Sequence, residues 1–513
     1  MSTPAAGTEA GPSRARRLLF GDRAVHLRFA WTAIAAVLLL YTAGFFWFYP
    51  AAHTNDDEVM YLNQARLLVL GTTTVTKIDP LTEQSFEYRP HPYPLGTALL
   101  SAPFVRVLGW RGAYLMPLLC LLGAVLFTAR WLQDAGRSPL FALTVLAFPA
   151  VLVLGRVVLS DVPSATFSAL GLWLFWRGQD RGPQWWLAAG LVAGLGTLVR
   201  ESNALLFVPL FAGAVLRGER QWWALLVGGL CGSGLRLLSA WLAFGDPFFV
   251  KDAYTVALTT LDERLPLYLF GLLVLVPGGL YAGFAYRGWR RPEIVATVAI
   301  FLAFYVLQPF GMTGASLPKR IVIALRYFIP LLPLLAWALA EVAPRVWQNV
   351  SARLNAGQRA RLETASALAL LLALGGLGAA AVGVHLGYDR WSASQAQIKQ
   401  AIHAHTGDDS VLIVDWFHTR KHLRTLERTY RELDRREVDA ADLNQLVERY
   451  GQIFLVLFER SDSDYWLDII RENERFLEGF EHPPELLLEQ NVTASDHLRI
   501  WRLGEGTAGG EPG

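Results

Sequence analysis

Between residues 29 and about 386 the chain returns again and again to apolar windows long enough to cross a bilayer, and this repetition constrains the fold most. A hydrocarbon core of about 30 Å takes roughly 20 apolar residues of helix. Inside it, each backbone N–H and C=O must be satisfied within the protein. Eleven windows fit: 29–48, 112–129, 139–155, 160–176, 184–198, 204–216, 222–244, 265–286, 292–310, 321–339 and 365–386. With 53% hydrophobic and only 18% charged residues, an ordinary soluble multidomain protein is excluded. The reading is an α-helical polytopic membrane protein.

The Lys and Arg bias of short loops sets orientation. Alternate loops hold Arg14, Arg16, Arg17, Arg130, Arg137, Arg177, Arg181, Arg217, Arg220, Arg287, Arg290, Arg291, Arg345, Arg353, Arg359 and Arg361, and these are expected to be cytoplasmic. The opening segment, residues 1–28, is small, polar and basic, with a late apolar run and no small-residue cleavage site, so a retained first helix is expected. The opposite face then receives a large first loop, 49–111, the loop 245–264, and everything after the spans. The expected organisation is a cytoplasmic segment 1–28, a transmembrane domain 29–387 and a C-terminal extracytoplasmic domain 388–513.

That last region holds 24 of the 44 acids and 15 of the 46 Lys and Arg, about −9 there against +11 before it. Apolar strand-like runs at 411–417 and 453–458, a helix at 440–450 and further strands at 486–490 and 498–503 predict a small α/β domain. It either covers the outer mouth or forms a packed cap. His418 and His422 in HTRKH have i, i+4 spacing but no third ligand, which suits a solvated helix face. Asn491-Val-Thr493 matches a glycosylation sequon of the kind chance supplies. Cys120 and Cys231 both lie in apolar runs, so a disulfide framework and a CxxC metal knuckle are unavailable. No P-loop and no strand-linked GxGxxG occurs, which removes support for a nucleotide-driven pump. Gly190 with Gly194, and Gly228 with Gly232, have the spacing of close helix packing.

Charges remain that a bilayer should exclude. NDDEVMYLNQAR, residues 55–66, puts three acids at a helix start, where Thr54 or Asn55 can cap and Asp57 or Glu58 can close a capping box. Asp57, Tyr61, Gln64 and Ala65 share one face of that helix. Arg156 and Asp161, Arg200 and Glu201, and Lys319, Arg320 and Arg326 all sit at outward ends of spans. An Arg or Asp near the centre of a membrane helix costs about 2.5–3.5 kcal/mol on insertion scales, so such groups face a cavity, one another or the interface. For Arg156 snorkelling to the interface is an equal alternative. Arg326 lies inside its span with no acid one turn away, which points to an anionic ligand. Carboxylates from the first loop and cations from late spans together suit displacement of a phosphate leaving group, the cations neutralising developing charge while a carboxylate takes a proton.

These motifs resemble the polytopic GT-C glycosyltransferases that use polyprenyl-phosphate sugars, the protein O-mannosyltransferases and the aminoarabinose transferase of lipid A. DEVMYLNQAR is similar to the acidic pair that leads that family's first loop. RPHPYPLG resembles its Pro-rich stretch, although relatives more often carry a basic residue directly before consecutive prolines. LSDVPSATF and RYFIPLLP follow in the family's order. The resemblance implies Asp57 as catalytic base and Glu58 as orienting the site or supporting an ion. It places Asp161 in the same cavity, Arg89, Lys319, Arg320, Arg326 and Arg200 at the lipid phosphate, and Tyr61 and His91 beside the donor sugar or acceptor. It implies inversion by direct displacement, a polyprenyl-phosphate sugar donor, and a lipid, glycan or protein acceptor. Nucleotide cofactors are not expected; a divalent ion at Asp57, Glu58 and Asp161 would follow some members. The alternative is a secondary transporter or flippase for an anionic lipid or metabolite. One oversized first loop and no self-similarity between halves favour the enzyme.

Overall fold

The computed structural model describes residues 23–89, 93–249, 261–275, 279–308, 325–407, 410–414, 431–435, 438, 440–460, 464–478, 484–492 and 496–504. The membrane part begins with α1 (Arg23–Trp47), the first loop carries α2 (Asp56–Val69) and α3 (Gly96–Leu108), and α4 (Leu115–Asp134) enters the bundle. Then come the short α5 (Leu143–Ala147) and α6 (Pro149–Leu154), followed by α7 (Asp161–Arg181), α8 (Pro183–Val199), α9 (Ala204–Leu216) and α10 (Trp222–Phe244). The set closes with α11 (Leu261–Phe270), α12 (Gly279–Ala285), α13 (Arg291–Leu307), α14 (Leu332–Ser351) and α15 (Ala356–His405). Among the described residues five helical stretches are long and apolar enough to span a bilayer: His26–Trp47, Trp110–Asp134, Trp222–Phe244, Arg326–Ser351 and Ala356–His405.

One expected span is broken for a local reason. The window 139–155 divides at Phe148, which is extended (φ −77°, ψ 118°) immediately before Pro149. A proline ring disfavours the α conformation in the residue before it. The window 265–286 passes through a π-helical turn, Gly271–Leu275. The eleventh window was drawn too short: α15 is a single 50-residue helix, about 75 Å at 1.5 Å per residue. It runs through residue 388, so the expected domain boundary falls inside a helix. No residue of its apolar window is fully buried; Leu374, Leu377 and Ala381 pack half-buried on the bundle and the opposite side is exposed. The first loop, with one helix expected at its acidic stretch, holds α3 as well.

The glycine spacing has a direct physical meaning. A Cβ on Gly190 would come within 2.1 Å of the Leu225 carbonyl oxygen, and one on Gly228 within 2.1 Å of Leu187 O. Gly194 and Gly232 face each other one turn on, so α8 and α10 touch backbone to backbone, the arrangement small residues permit where lipid supplies no hydrophobic drive.

The C-terminal region is a five-stranded mixed sheet of order β4-β3-β5-β7-β6, formed by β3 (Val411–Val414), β4 (Arg431–Asp434), β5 (Ile453–Arg460), β6 (Glu485–Asn491) and β7 (Asp496–Leu503). β3 is parallel to β4 and β5, while β7 is antiparallel to β5 and β6. Ile398 and Ile402 at the end of α15 cover one face. The other face takes Leu443 and Leu446 of α16 (Ala440–Tyr450) and also Leu81 of the first loop. A last helix, α17 (Asp464–Glu478), packs beside β5. Strands at 411, 453, 486 and 498 and the helix at 440 were expected. β4 and α17 were not, nor was the first-loop hairpin of β1 (Val75–Ile78) and β2 (Ser85–Tyr88). The C-terminal region grips that hairpin: Arg449 of α16 donates to Pro80 O at 3.0 Å and Leu81 O at 2.9 Å, and Lys77 lies 3.9 Å from Glu432 of β4. His418 and His422 lie outside the described residues, and so does Thr493 of the sequon.

Gly228→Leu is expected to lower stability by at least about 1–3 kcal/mol, the usual cost of overpacking. Gly234→Leu on the same helix, where nothing lies within 4 Å, is expected to leave it unchanged; thermal unfolding in detergent compares the two.

Candidate active site

The acidic helix start sorts itself by hydrogen bonding. Asn55 is the N-cap of α2, and its side chain accepts from the Glu58 backbone N–H at 2.9 Å. Glu58 turns back: Oε2 accepts from Thr54 N at 2.6 Å and Oγ1 at 3.1 Å, while Oε1 accepts from Val158 N at 3.1 Å. The side chain is fully buried, and loss of water pushes its carboxyl up to about 7 although these donors favour the charged form. Glu58 thus fastens the first loop to the turn before α7 and does not present its carboxylate to a substrate.

Asp57, the next residue back, points elsewhere. Tyr93 donates to its Oδ1 at 2.5 Å, and Arg326 reaches Oδ2 at 3.2 Å. The side chains of this pair are 35% and 20% exposed, so unlike Glu58 the pair is open to an incoming ligand. Arg326 has no acid one turn away in the sequence, and its counter-ion comes from 269 residues earlier. Tyr61 is buried with its ring stacked on Tyr93, centroids 4.7 Å apart. Burial holds both phenols above their usual pKa, Asp57 adding to the shift.

A second pair lies alongside. Asp161, at the first position of α7, accepts from Arg200 at 2.5 Å. Asp161 is buried by this contact rather than opening into a cavity. The Arg200 and Arg326 guanidinium carbons both sit over the Tyr327 ring, 5.2 and 5.1 Å from its centroid. Tyr327 stacks in turn on Tyr305, whose hydroxyl donates to Ser202 at 2.6 Å. Two cations therefore converge on one aromatic ring, each bridged to a carboxylate.

The other expected site residues fall differently. Arg89 donates to Ala243 O at 2.9 Å, at the end of α10, which anchors the first loop there rather than at the ion pairs. Lys319, Arg320 and His91 lie outside the described residues. Arg156 does not snorkel. It is fully buried, bonded to His385 of α15 and the Phe48 carbonyl, with its guanidinium over the rings of Phe45 and Tyr388. Among the described residues no three His, Cys, Asp or Glu side chains gather to hold a metal. Asp57 and Asp161 each face an arginine and Glu58 is taken up by backbone N–H groups, so this trio does not fit the divalent ion considered for it. Tyr93 was missed, although it lies within the quoted PHPYPLG; charge was the signal followed, and a proline-flanked tyrosine carries none.

Residues 97–243 match the family described as Dolichyl-phosphate-mannose-protein mannosyltransferase. No curated protein sequence matches the chain. Among solved structures, apo ArnT from Cupriavidus metallidurans superposes with a TM-score of 0.59 at 17% identity, covering 92% of this chain and 97% of that one. The same protein bound to undecaprenyl phosphate gives 0.56 at 16%, covering 94% and 99%. The fold is the GT-C glycosyltransferase fold. The resemblance read from the motifs is borne out at that level, and the chain is a membrane protein of GT-C architecture. The family match includes Asp161 and Arg200 but neither Asp57 nor Arg326, so the pairing of those two is carried by the geometry of this chain.

Because the Glu58 carboxyl is raised to about 7 by burial, its stabilising contribution is complete below its unfolded value near 4.5 and is lost as pH rises through about 7. Hydrogen exchange in residues 54–60 is expected to quicken between pH 5 and 8 beyond the intrinsic rate, and Glu58→Gln to remove that excess.

Proposed function

We propose that this protein transfers a sugar from a polyprenyl-phosphate donor to an acceptor hydroxyl on the extracytoplasmic face, with Asp57 as general base and inversion at the sugar carbon. The observation that carries the reading is the contact between Asp57 and Arg326, a base and a phosphate-binding group in one place. In this contact each neutralises the other. A lipid phosphate competes for the guanidinium, which matches phosphate geometry as well as it matches carboxylate, and so releases Asp57 as the donor arrives. Arg200, over the same Tyr327 ring, adds positive potential while remaining anchored by Asp161.

In the transfer step Asp57 takes the acceptor hydroxyl proton, and the acceptor oxygen forms its bond to the anomeric carbon. The bond from that carbon to the phosphate oxygen breaks, and its electron pair leaves with the polyprenyl phosphate, where Arg326 stabilises the growing charge. Tyr93 holds the carboxylate in line. Tyr61, stacked behind it, keeps Tyr93 in place. The N-terminus lies in the cytoplasm, and the C-terminal sheet stands outside, seated on the first-loop hairpin. Undecaprenyl phosphate bound to ArnT supports a polyprenyl phosphate as the lipid. The trio Asp57, Arg326 and Tyr93 supports a reacting centre rather than a translocation path.

Asp57→Asn is expected to remove turnover, a fall of at least about 10²–10⁴-fold for a positioned general base, while donor binding persists. Arg326→Ala is expected to weaken donor binding at least tenfold. Consumption of a polyprenyl-phosphate sugar by purified protein reads both. Wild-type turnover in Asp57→Asn would refute the base assignment, and tracer crossing sealed vesicles without donor consumption would favour a transporter.

A further inference from the structure

Apart from the ion pairs, the structure holds an open groove of about 610 Å³ whose lining includes Ala51, Ala52, Trp110, Lys399, Gln400 and His403. That volume lies within the range of ligand pockets. One wall is α15 beyond the bilayer length, with Lys399, Gln400 and His403 on one face at i, i+1 and i+4. The other is the Trp110 ring, set by a turn that begins at Gly109 with φ 72°. The Lys399 ammonium lies 5.3 Å from the Trp110 centroid, a cation–π contact. None of the lining residues is acidic, although residues 388–513 carry 24 of the chain's 44 acids.

We propose that this groove holds an anionic sugar unit of the acceptor, outside the reaction centre. This rests on the transferase reading. The indole offers a flat apolar surface for a pyranose C–H face, Lys399 offers the counter-charge, and Gln400 and His403 offer hydrogen bonds to hydroxyls. The groove also lies within reach of Asp57 along the chain. Ala52 precedes Asp57 by five residues, and an extended chain covers at most about 3.6 Å per residue, so the two are within about 18 Å. Thr54, between them, is fixed by Glu58, which keeps groove and base in a constant relation.

The test measures binding of a hexagalacturonate to the full chain in detergent, against neutral maltohexaose and inorganic phosphate. Saturable binding of the hexagalacturonate is expected, at least tenfold weaker in Lys399→Glu and in Trp110→Ala and unchanged in Asp57→Asn. His403→Glu, at a partly exposed position, guards against a Trp110→Ala variant that fails to fold and is expected to weaken binding as well. Equal affinity in wild type, Lys399→Glu and His403→Glu overturns the proposal, as does equal affinity for maltohexaose or for phosphate. The transferase reading fails separately, through tracer crossing sealed vesicles with no consumption of a polyprenyl-phosphate sugar, a result that leaves the binding comparison intact.

Discussion

The contact between Asp57 and Arg326 is the constraint around which its end of the helical bundle is arranged. It joins the first loop to the entry of α14, and neither residue has the other as a local neighbour in sequence. Charges at a membrane boundary are costly unless paired or turned towards a cavity, and here one geometry does both. A pair of this kind is weak evidence for stability, because desolvation offsets most of the Coulomb gain. Its value lies in what a competing anion can do to it. The buried neighbours explain how it is held: Glu58 locks the helix start to the turn at Val158, and Tyr93 fixes the other carboxylate oxygen.

The two ends of the bundle use charge differently. At the end with the arginine-rich loops, Arg177 and Arg130 share Asp134, Arg137 and Arg345 share Glu341, Arg217 meets Glu293 and Arg290 meets Glu219. Arg130–Asp134 and Arg345–Glu341 lie within one helix, the other four pairs tie neighbouring elements together, and Arg177 lies over the indole rings of Trp173 and Trp185, as interfacial anchors do. At the other end the arginines are fewer, and Arg200 and Arg326 converge on Tyr327. The same residue types clamp the helices at one end and assemble a site at the other.

Much of this architecture was legible because membrane helices and core strands are encoded by long local runs. The windows 204–216 and 222–244 match α9 and α10, and the helix at 440–450 is present as drawn. Elements whose signal is short or polar were not legible. β4 reads RELD and gains its place only by pairing with β3, and α3 was hidden inside a loop judged by its acids. At the site, Asp57 and Arg326 stood out as charges a bilayer should exclude. Their pairing, the hold of Glu58 on Val158 and the part played by Tyr93 depend on tertiary approach, which single-chain periodicity does not record. Arg89 misled for the same reason: its guanidinium found a carbonyl on α10 that no local pattern announces.

The central claim is that donor phosphate takes Arg326 from Asp57. A density map of the protein with a polyprenyl phosphate bound tests it most directly. The account predicts the Arg326 guanidinium on the phosphate oxygens and the Asp57 carboxylate separated from it, still held by Tyr93 and facing the sugar position. A map in which the phosphate binds elsewhere while Asp57 and Arg326 remain in contact would contradict it.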